Sequence, residues 1–313
     1  MMINIVQFSG VFISMTTPFT LDGEKVDINK LEKNLDIFSQ TDLKGYSVLG
    51  STGEKLYLNK TERKKVLSTV LKKRNFNQLV MVDCSHESIE ATVNSTKWAA
   101  EIGAEIAKIL PPHYYNKLMT DRVILHFFEK VANHSPIPIV LYNAPNFTGG
   151  VTISMDILSI LNKHPNIVGI KDSSLSSTNN FLSFMDKKFP VMAGTISTFL
   201  STLAMGGVGG ILSMANYHPK VVCSLYKLFN QGKMDEARDL QHALIRLNSK
   251  ISFRYGVAGT KYSMDVVGLY GGNPRLPLLP LSDNEKNSVR DALNKFNKEY
   301  PEYKGGLLIK KNE

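Results

Sequence analysis

Apolar residues in this chain collect in eight short, continuous runs, at 10–15, 45–49, 79–82, 105–110, 138–142, 167–171, 190–194 and 209–214. A continuous apolar run bounded by turn residues predicts a strand buried on both faces, where a half-exposed strand would alternate. The stretches between the runs carry a helical period instead. Ile28, Leu31, Leu35 and Phe38 recur at helical spacing behind Asp27, a candidate N-cap. Thr61 is the expected cap of a second helix that carries Val66 and Val70 on its apolar stripe. Further helices are predicted near 88–102, 122–133, 154–163 and 218–229.

Strand and helix in strict alternation predict an α/β fold with a parallel sheet. Right-handed βα units repeated eight times close into a (β/α)8 TIM barrel, expected over 9–230. An open doubly wound sheet would more often carry a glycine-rich phosphate turn after its first strand, whereas this strand ends in Thr16-Thr17-Pro18. Beyond residue 230 the pattern is helical only, near 233–250, 259–268 and 284–298. It predicts a C-terminal helical appendix, 231–300, packed on the barrel, with Pro274, Pro277 and Pro280 stiffening the loop before the last helix. The tail from Lys304 is expected to be mobile.

Composition narrows the function classes. The chain has 313 residues, 43% hydrophobic and 21% charged, as in an ordinary soluble globular protein. Its net charge of +9 comes from scattered lysines, without a basic arm or interleaved aromatics, so no nucleic-acid partner is expected. Cys84 and Cys223 make neither a metal-ligand spacing nor a disulfide framework. No apolar run approaches a membrane span. The N-terminal residues lack the character of a targeting peptide, so a cytoplasmic location is expected, with the mitochondrial matrix as the alternative that the high pI allows.

The candidate chemistry lies at the strand ends, because a barrel builds its site from them. Ser51 and Thr52 follow strand two, Tyr142 ends strand five, Lys171 ends strand six, Gly194 ends strand seven and Ser213 lies in strand eight. Lys171 closes a buried apolar strand, where desolvation favours the neutral amine that attacks a carbonyl. Taken alone, that stretch also reads as a lysine snorkelling into solvent. A phenol at Tyr142 can relay protons, against the plainer reading of a rim tyrosine. Ser51 and Thr52, in a glycine-containing turn, can hold a carboxylate, or serve only the turn. No strand end carries the His and carboxylate set of a divalent metal, and His86, near Asp83 and Cys84, reads as a loop residue. Together these residue types suit carbonyl chemistry on a small 2-oxo acid, with no cofactor and no metal.

Three motifs stand in order at the ends of strands two, five and six. They are Gly50-Ser51-Thr52-Gly53-Glu54, Tyr142-Asn143-Ala144-Pro145 with Thr148-Gly149, and Gly169-Ile170-Lys171-Asp172-Ser173. With the opening 10–19 they resemble the pyruvate-dependent class I aldolases, the family of dihydrodipicolinate synthase and N-acetylneuraminate lyase, over roughly residues 9–300. The resemblance implies that Lys171 forms the Schiff base, Tyr142 relays protons, and Ser51 and Thr52 bind the pyruvate carboxylate. It adds Tyr115 to the catalytic set, as a tyrosine inserted into a neighbouring subunit, and hence a homotetramer built as a dimer of dimers. Gly194 and Ile211 complete the expected substrate-binding set.

Departures from the family pattern narrow the substrate. Phe147 stands where dihydrodipicolinate synthases place an arginine, and Ile196 and Ser197 stand where sialic acid lyases place an Asp-Glu pair. The stretches 135–142 and 164–173, with Tyr270-Gly271-Gly272 and Arg275, are most similar to the eukaryotic 4-hydroxy-2-oxoglutarate aldolase branch. Thr52 departs from that branch, which has asparagine there. A serine-threonine pair is common in sugar-acid aldolases, so 2-keto-3-deoxy sugar acids, for cleavage or for dehydration, remain the alternative substrates.

Overall fold

The computed structural model describes residues 8–175, 177–184 and 189–303. The expectation of a mobile tail from Lys304 lies outside the described residues. Eight parallel strands close into a barrel in sequence order, β1 to β8. They are β1 (Gly10–Ser14), β2 (Gly45–Val48), β3 (Leu79–Asp83), β4 (Ile106–Ile109), β5 (Ile139–Asn143), β6 (Ile167–Asp172), β7 (Val191–Ala193) and β8 (Gly209–Leu212). Each matches a predicted run to within two residues at either end, and almost every strand residue is buried, as continuous apolar runs require. The open-sheet alternative is thereby excluded, and the fold is a (β/α)8 TIM barrel.

The helices that follow the strands are α1 (Ile28–Phe38), α2 (Lys60–Lys73), α3 (Ile89–Ile102), α4 (Asp121–His134), α5 (Met155–Leu161), α6 (Thr178–Phe184), α7 (Phe199–Ala204) and α8 (Pro219–Asn230). Asp27 caps α1 as expected, accepting from the Lys30 N–H. The predicted cap at Thr61 is corrected to Asn59. Its side chain accepts from the Glu62 N–H while the Glu62 carboxylate accepts from the Asn59 N–H, and this capping box starts the helix earlier. Helices α6 and α7 are only seven and six residues long, too short to show a period in sequence.

Contacts divide the chain into two compact units. The first joins the residues up to Gly10 to Leu79–Ile211 and contains β3 to β7. Within it the Gly10 N–H donates to the Val208 carbonyl (3.0 Å), and a Cβ on Gly209 would run into the Gly10 backbone, so glycine alone permits this approach. The second unit comprises Val11–Gln78 and the residues from Leu212 onward. It pairs β1 with β2, Ile13 opposite Tyr46, and includes α9 (Met234–Lys250), α10 (Ser252–Val266) and α11 (Asp283–Glu299). Helix α10 begins earlier than its expected start at 259. Gly256 (φ 55°) breaks the helical dihedrals, which hides the first turns from a periodicity reading.

Candidate active site

Strands β5 and β6 lie side by side with Tyr142 paired to Lys171 and Asn143 paired to Asp172. Paired residues of a parallel ladder send their side chains to the same face, so Tyr142 and Lys171 share one face and Asn143 and Asp172 the other. The Lys171 Nζ lies 4.3 Å from the centroid of the Tyr142 ring, and both residues are only 3% exposed. Lys171 makes no hydrogen bond or ion pair among the described residues. Burial pushes its ammonium down to about 8, with the charge of Asp83 opposing the shift. At pH 7 about a tenth of such a lysine is free amine, against well under a thousandth of an ordinary one.

Behind this pair, the opposite face is tied down by polar contacts. The Asp172 carboxylate accepts from Asn143 Nδ2 (2.8 Å), from the Ser174 N–H (3.1 Å) and Oγ (2.8 Å), and from Thr178 Oγ1. Asn143 Oδ1 in turn accepts from the Ile153 N–H (3.0 Å). Asp172, adjacent to the lysine in sequence, therefore fixes the loop after β6 and the start of α6.

A second buried lysine, which sequence reading overlooked, adjoins the first. Lys108 on β4 pairs with Asp83 on β3 and with Val140 on β5, two residues before Tyr142 and on the same face. Its Nζ lies 3.4 Å from Asp83 Oδ2 and 4.5 Å from the Tyr142 ring centroid. Asp83 Oδ1 accepts from the Ser85 N–H (3.1 Å). Burial holds the Lys108 ammonium below the lysine range, against the pull of Asp83 and reinforced by the charge of Lys171. A lysine enclosed by apolar neighbours in Ile106-Ala107-Lys108-Ile109 was the available signal, but sequence does not say which face it occupies.

Gly194 follows β7, and its N–H is engaged by the Asp172 carbonyl (2.6 Å). A Cβ there would collide with Ser173 Oγ and the Asp172 carbonyl, so only glycine fits. Ile211 is fully buried in β8. Tyr115 is exposed, in edge-to-face contact with the exposed Tyr114 at 5.0 Å between centroids. It borders an open groove of about 1010 Å³ lined also by Pro112, Val123, His126 and Phe127, at a different place from Tyr142 and Lys171.

Ser51 and Thr52 belong to the second unit, in a tight turn after β2. The non-glycine residues Leu49 and Glu54 bracket it, both with φ of 57°, a left-handed conformation that costs energy outside glycine. Within the turn, Gly53 and Glu54 donate their N–H groups to the Gly50 and Ser51 carbonyls. Thr52 Oγ1 accepts from Ser14 Oγ (3.1 Å), and Thr17 Oγ1 binds the Gly53 carbonyl (2.8 Å). Both hydroxyl residues are half-buried. Glu54 fixes the far end, with its carboxylate bound to Lys261 Nζ (2.6 Å) and to the Arg275 N–H (2.7 Å). Ser213 opens a short 3-10 turn, Ser213–Asn216, and its carbonyl accepts from Asn216 Nδ2 (2.7 Å). Among the described residues no cluster could hold a metal ion, His86 included, and no helix is long and apolar enough to cross a membrane.

Residues 7–296 match the dihydrodipicolinate synthetase family. A 4-hydroxy-tetrahydrodipicolinate synthase of Methanothrix thermoacetophila is 33% identical, over 92% of this chain and 97% of its own. An L-threo-3-deoxy-hexylosonate aldolase of Aspergillus niger is 31% identical, over 91% and 93%. A probable mitochondrial 4-hydroxy-2-oxoglutarate aldolase of Emericella nidulans is 29% identical, over 90% and 93%. With its closed barrel and a match over residues 7–296, the chain belongs to the dihydrodipicolinate synthetase family and is a lyase of the aldolase class.

Proposed function

We propose that this enzyme is a Schiff-base aldolase that cleaves 4-hydroxy-2-oxoglutarate to pyruvate and glyoxylate. The observation that carries the reading is a buried lysine without an ion-pair partner, held against a buried phenol. The Lys171 amine adds to the C2 ketone and water leaves, giving a protonated imine. That cation draws the electrons of the C3–C4 bond as the C4 hydroxyl loses its proton, and glyoxylate departs. The resulting enamine takes a proton at C3, and hydrolysis of the imine frees pyruvate and Lys171. Tyr142 relays these protons, while Ser51 and Thr52 hold the C1 carboxylate. Gly194, whose N–H is already engaged, contributes space, and Ile211 an apolar wall. The exposed Tyr115 completes the site of a second copy in a homotetramer, the oligomer expected from the family resemblance.

Incubation with pyruvate and borohydride should add a reduced adduct at Lys171 and inactivate the enzyme; full activity after that treatment would refute the reading. Thr52 and the 31%-identical hexylosonate aldolase support a second reading, a 2-keto-3-deoxy sugar acid in place of hydroxyoxoglutarate. Pyruvate release measured side by side on the two substrates separates them, and a retained carbon skeleton would mark a dehydratase. Phe147, exposed where a synthase carries arginine, argues against dihydrodipicolinate synthesis.

A further inference from the structure

Tyr115 is exposed, yet the chain on either side of it is tied to a neighbouring loop. Upstream the tie is a single carboxylate. Glu87, between β3 and α3, accepts from the His113 N–H (2.8 Å) and the Tyr114 N–H (2.9 Å) on one oxygen, and its other oxygen lies 3.2 Å from His113 Nδ1. The Pro111 carbonyl lies 3.1 Å from the same ring nitrogen. Both neighbours are acceptors, so Nδ1 carries the proton and donates. Downstream, Asn116 Nδ2 donates to the Gly149 carbonyl (3.2 Å), in the loop that follows β5. Glu87 and Tyr115 line the same open groove. The backbone donors that Glu87 holds are exposed, and water could serve them, so the ties add only modestly to stability. What they remove is conformational freedom, in a loop on the barrel rim.

We infer that Glu87 is a positioning residue for Tyr115: its carboxylate holds the two preceding residues, His113 and Tyr114, so that the tyrosine is presented in one fixed direction. The inference rests on the reading in which Tyr115 completes the site of a second copy. A phenol offered to a neighbour must be ordered beforehand, because a group that finds its geometry only after docking loses rate to entropy. A carboxylate suits this task, since a charged oxygen accepts two N–H groups at once and more strongly than a neutral one. Asn116 ties the other side with a neutral amide, so Glu87 is the stronger of the two ties. If Glu87 served only to satisfy loop donors, its loss would loosen the loop with no link to Tyr115.

The test is a double-mutant cycle on the exchange of the pyruvate methyl protons in deuterium oxide, followed by proton NMR. Lys171 forms the imine, C3 loses a proton to give the enamine, the enamine takes a deuteron, and hydrolysis returns labelled pyruvate, so no aldehyde partner is needed. Tyr115→Phe should slow the exchange by about a hundredfold. Glu87→Ala should slow it by about tenfold, whereas Glu87→Gln, whose amide oxygen can accept from both N–H groups, should stay within about twofold of wild type. The double variant Glu87→Ala with Tyr115→Phe should be no slower than Tyr115→Phe alone. A further tenfold loss in the double variant, or a Glu87→Ala enzyme as fast as wild type beside a slow Tyr115→Phe, would overturn the inference and leave the role of Tyr115 standing. An undiminished rate in Tyr115→Phe would refute that role and the inference with it. Amide hydrogen exchange over 111–116, measured without pyruvate, checks the anchoring apart from the reaction: it should quicken by about tenfold in Glu87→Ala and not in Glu87→Gln. Unchanged protection in Glu87→Ala would overturn the inference even with Lys171 confirmed as the imine-forming lysine.

Discussion

Each unit of this protein holds one aromatic ring with two cations against it, and the two arrangements differ in how those cations are satisfied. In the second unit Phe19 has Lys261 Nζ at 4.2 Å and the Arg275 guanidinium at 4.3 Å from its centroid. Lys261 is bound to Glu54 at 2.6 Å and to the Asn273 carbonyl at 3.0 Å, and Arg275 forks onto both oxygens of Glu62 at 2.8 and 2.9 Å. In the first unit Tyr142 has Lys171 and Lys108 at similar distances, but among the described residues Lys171 has no ion pair and Lys108 reaches only Asp83, at 3.4 Å. The first pattern is that of structure, with charges paired and hydrogen-bonded. The second is the pattern expected of the proposed reactive site, where incomplete pairing leaves an amine able to lose its proton.

The sharpest way to break this comparison is to replace each lysine. Lys171→Ala should abolish the borohydride adduct and lower turnover by at least about a thousandfold. It should not destabilise the fold at neutral pH. The native-state value of about 8 lies below that of an unfolded lysine, so keeping Lys171 charged costs the fold about 3 kcal/mol below pH 8, a penalty relieved as pH rises towards 10.5. Thermal unfolding of the variant at pH 7 should therefore show an equal or higher midpoint, and a marked drop would mean that Lys171 is structural. Tyr142→Phe should lower turnover by about 10² to 10⁴ while Lys171 still accepts the adduct, because only the proton relay is removed. An unchanged rate would assign the relay elsewhere.

Lys261→Met is the converse experiment. It leaves Glu54 buried with one backbone N–H in place of a full ion pair, and should destabilise by about 3 to 5 kcal/mol, measured by denaturant unfolding. A loss below about 1 kcal/mol would show that the second cluster is no better satisfied than the first.

How much of this was legible in the sequence follows from the same contrast. The strands were legible because continuous apolar runs have one physical outcome, burial on both faces. Lys171 stood out as a charge at the end of such a run. Lys108 did not, because its meaning depends on register: only the pairing of β4 with β3 and β5 sets its amine beside Asp83 and Tyr142. The role of Glu54 was equally hidden, since its partners Lys261 and Arg275 are more than two hundred residues away in the chain. Thr61 misled because it is a good capping residue two places from a better one, and only the reciprocal hydrogen bonds of Asn59 and Glu62 decide between them.

The smallest effect expected comes from a third buried, unsatisfied group, and it asks whether incomplete pairing alone marks a reactive site. His218 is buried between the Tyr217 and Phe296 rings, with neither ring nitrogen hydrogen-bonded among the described residues. Burial pushes its imidazolium down to about 4. The unfolded chain takes up that proton near pH 6.5 and the folded one only near 4, so stability falls as pH drops through this window, by at most about 3 kcal/mol. His218→Phe should flatten the fall, seen as a smaller change in unfolding midpoint between pH 7 and pH 4.5, with turnover unchanged. Among the described residues burial alone acts on His218, whereas the charge of Asp83 also acts on Lys171. If His218→Phe instead lowered turnover without affecting stability, the absence of a partner would itself be the mark of function, and the distinction drawn between the two lysine clusters would have to rest on geometry alone.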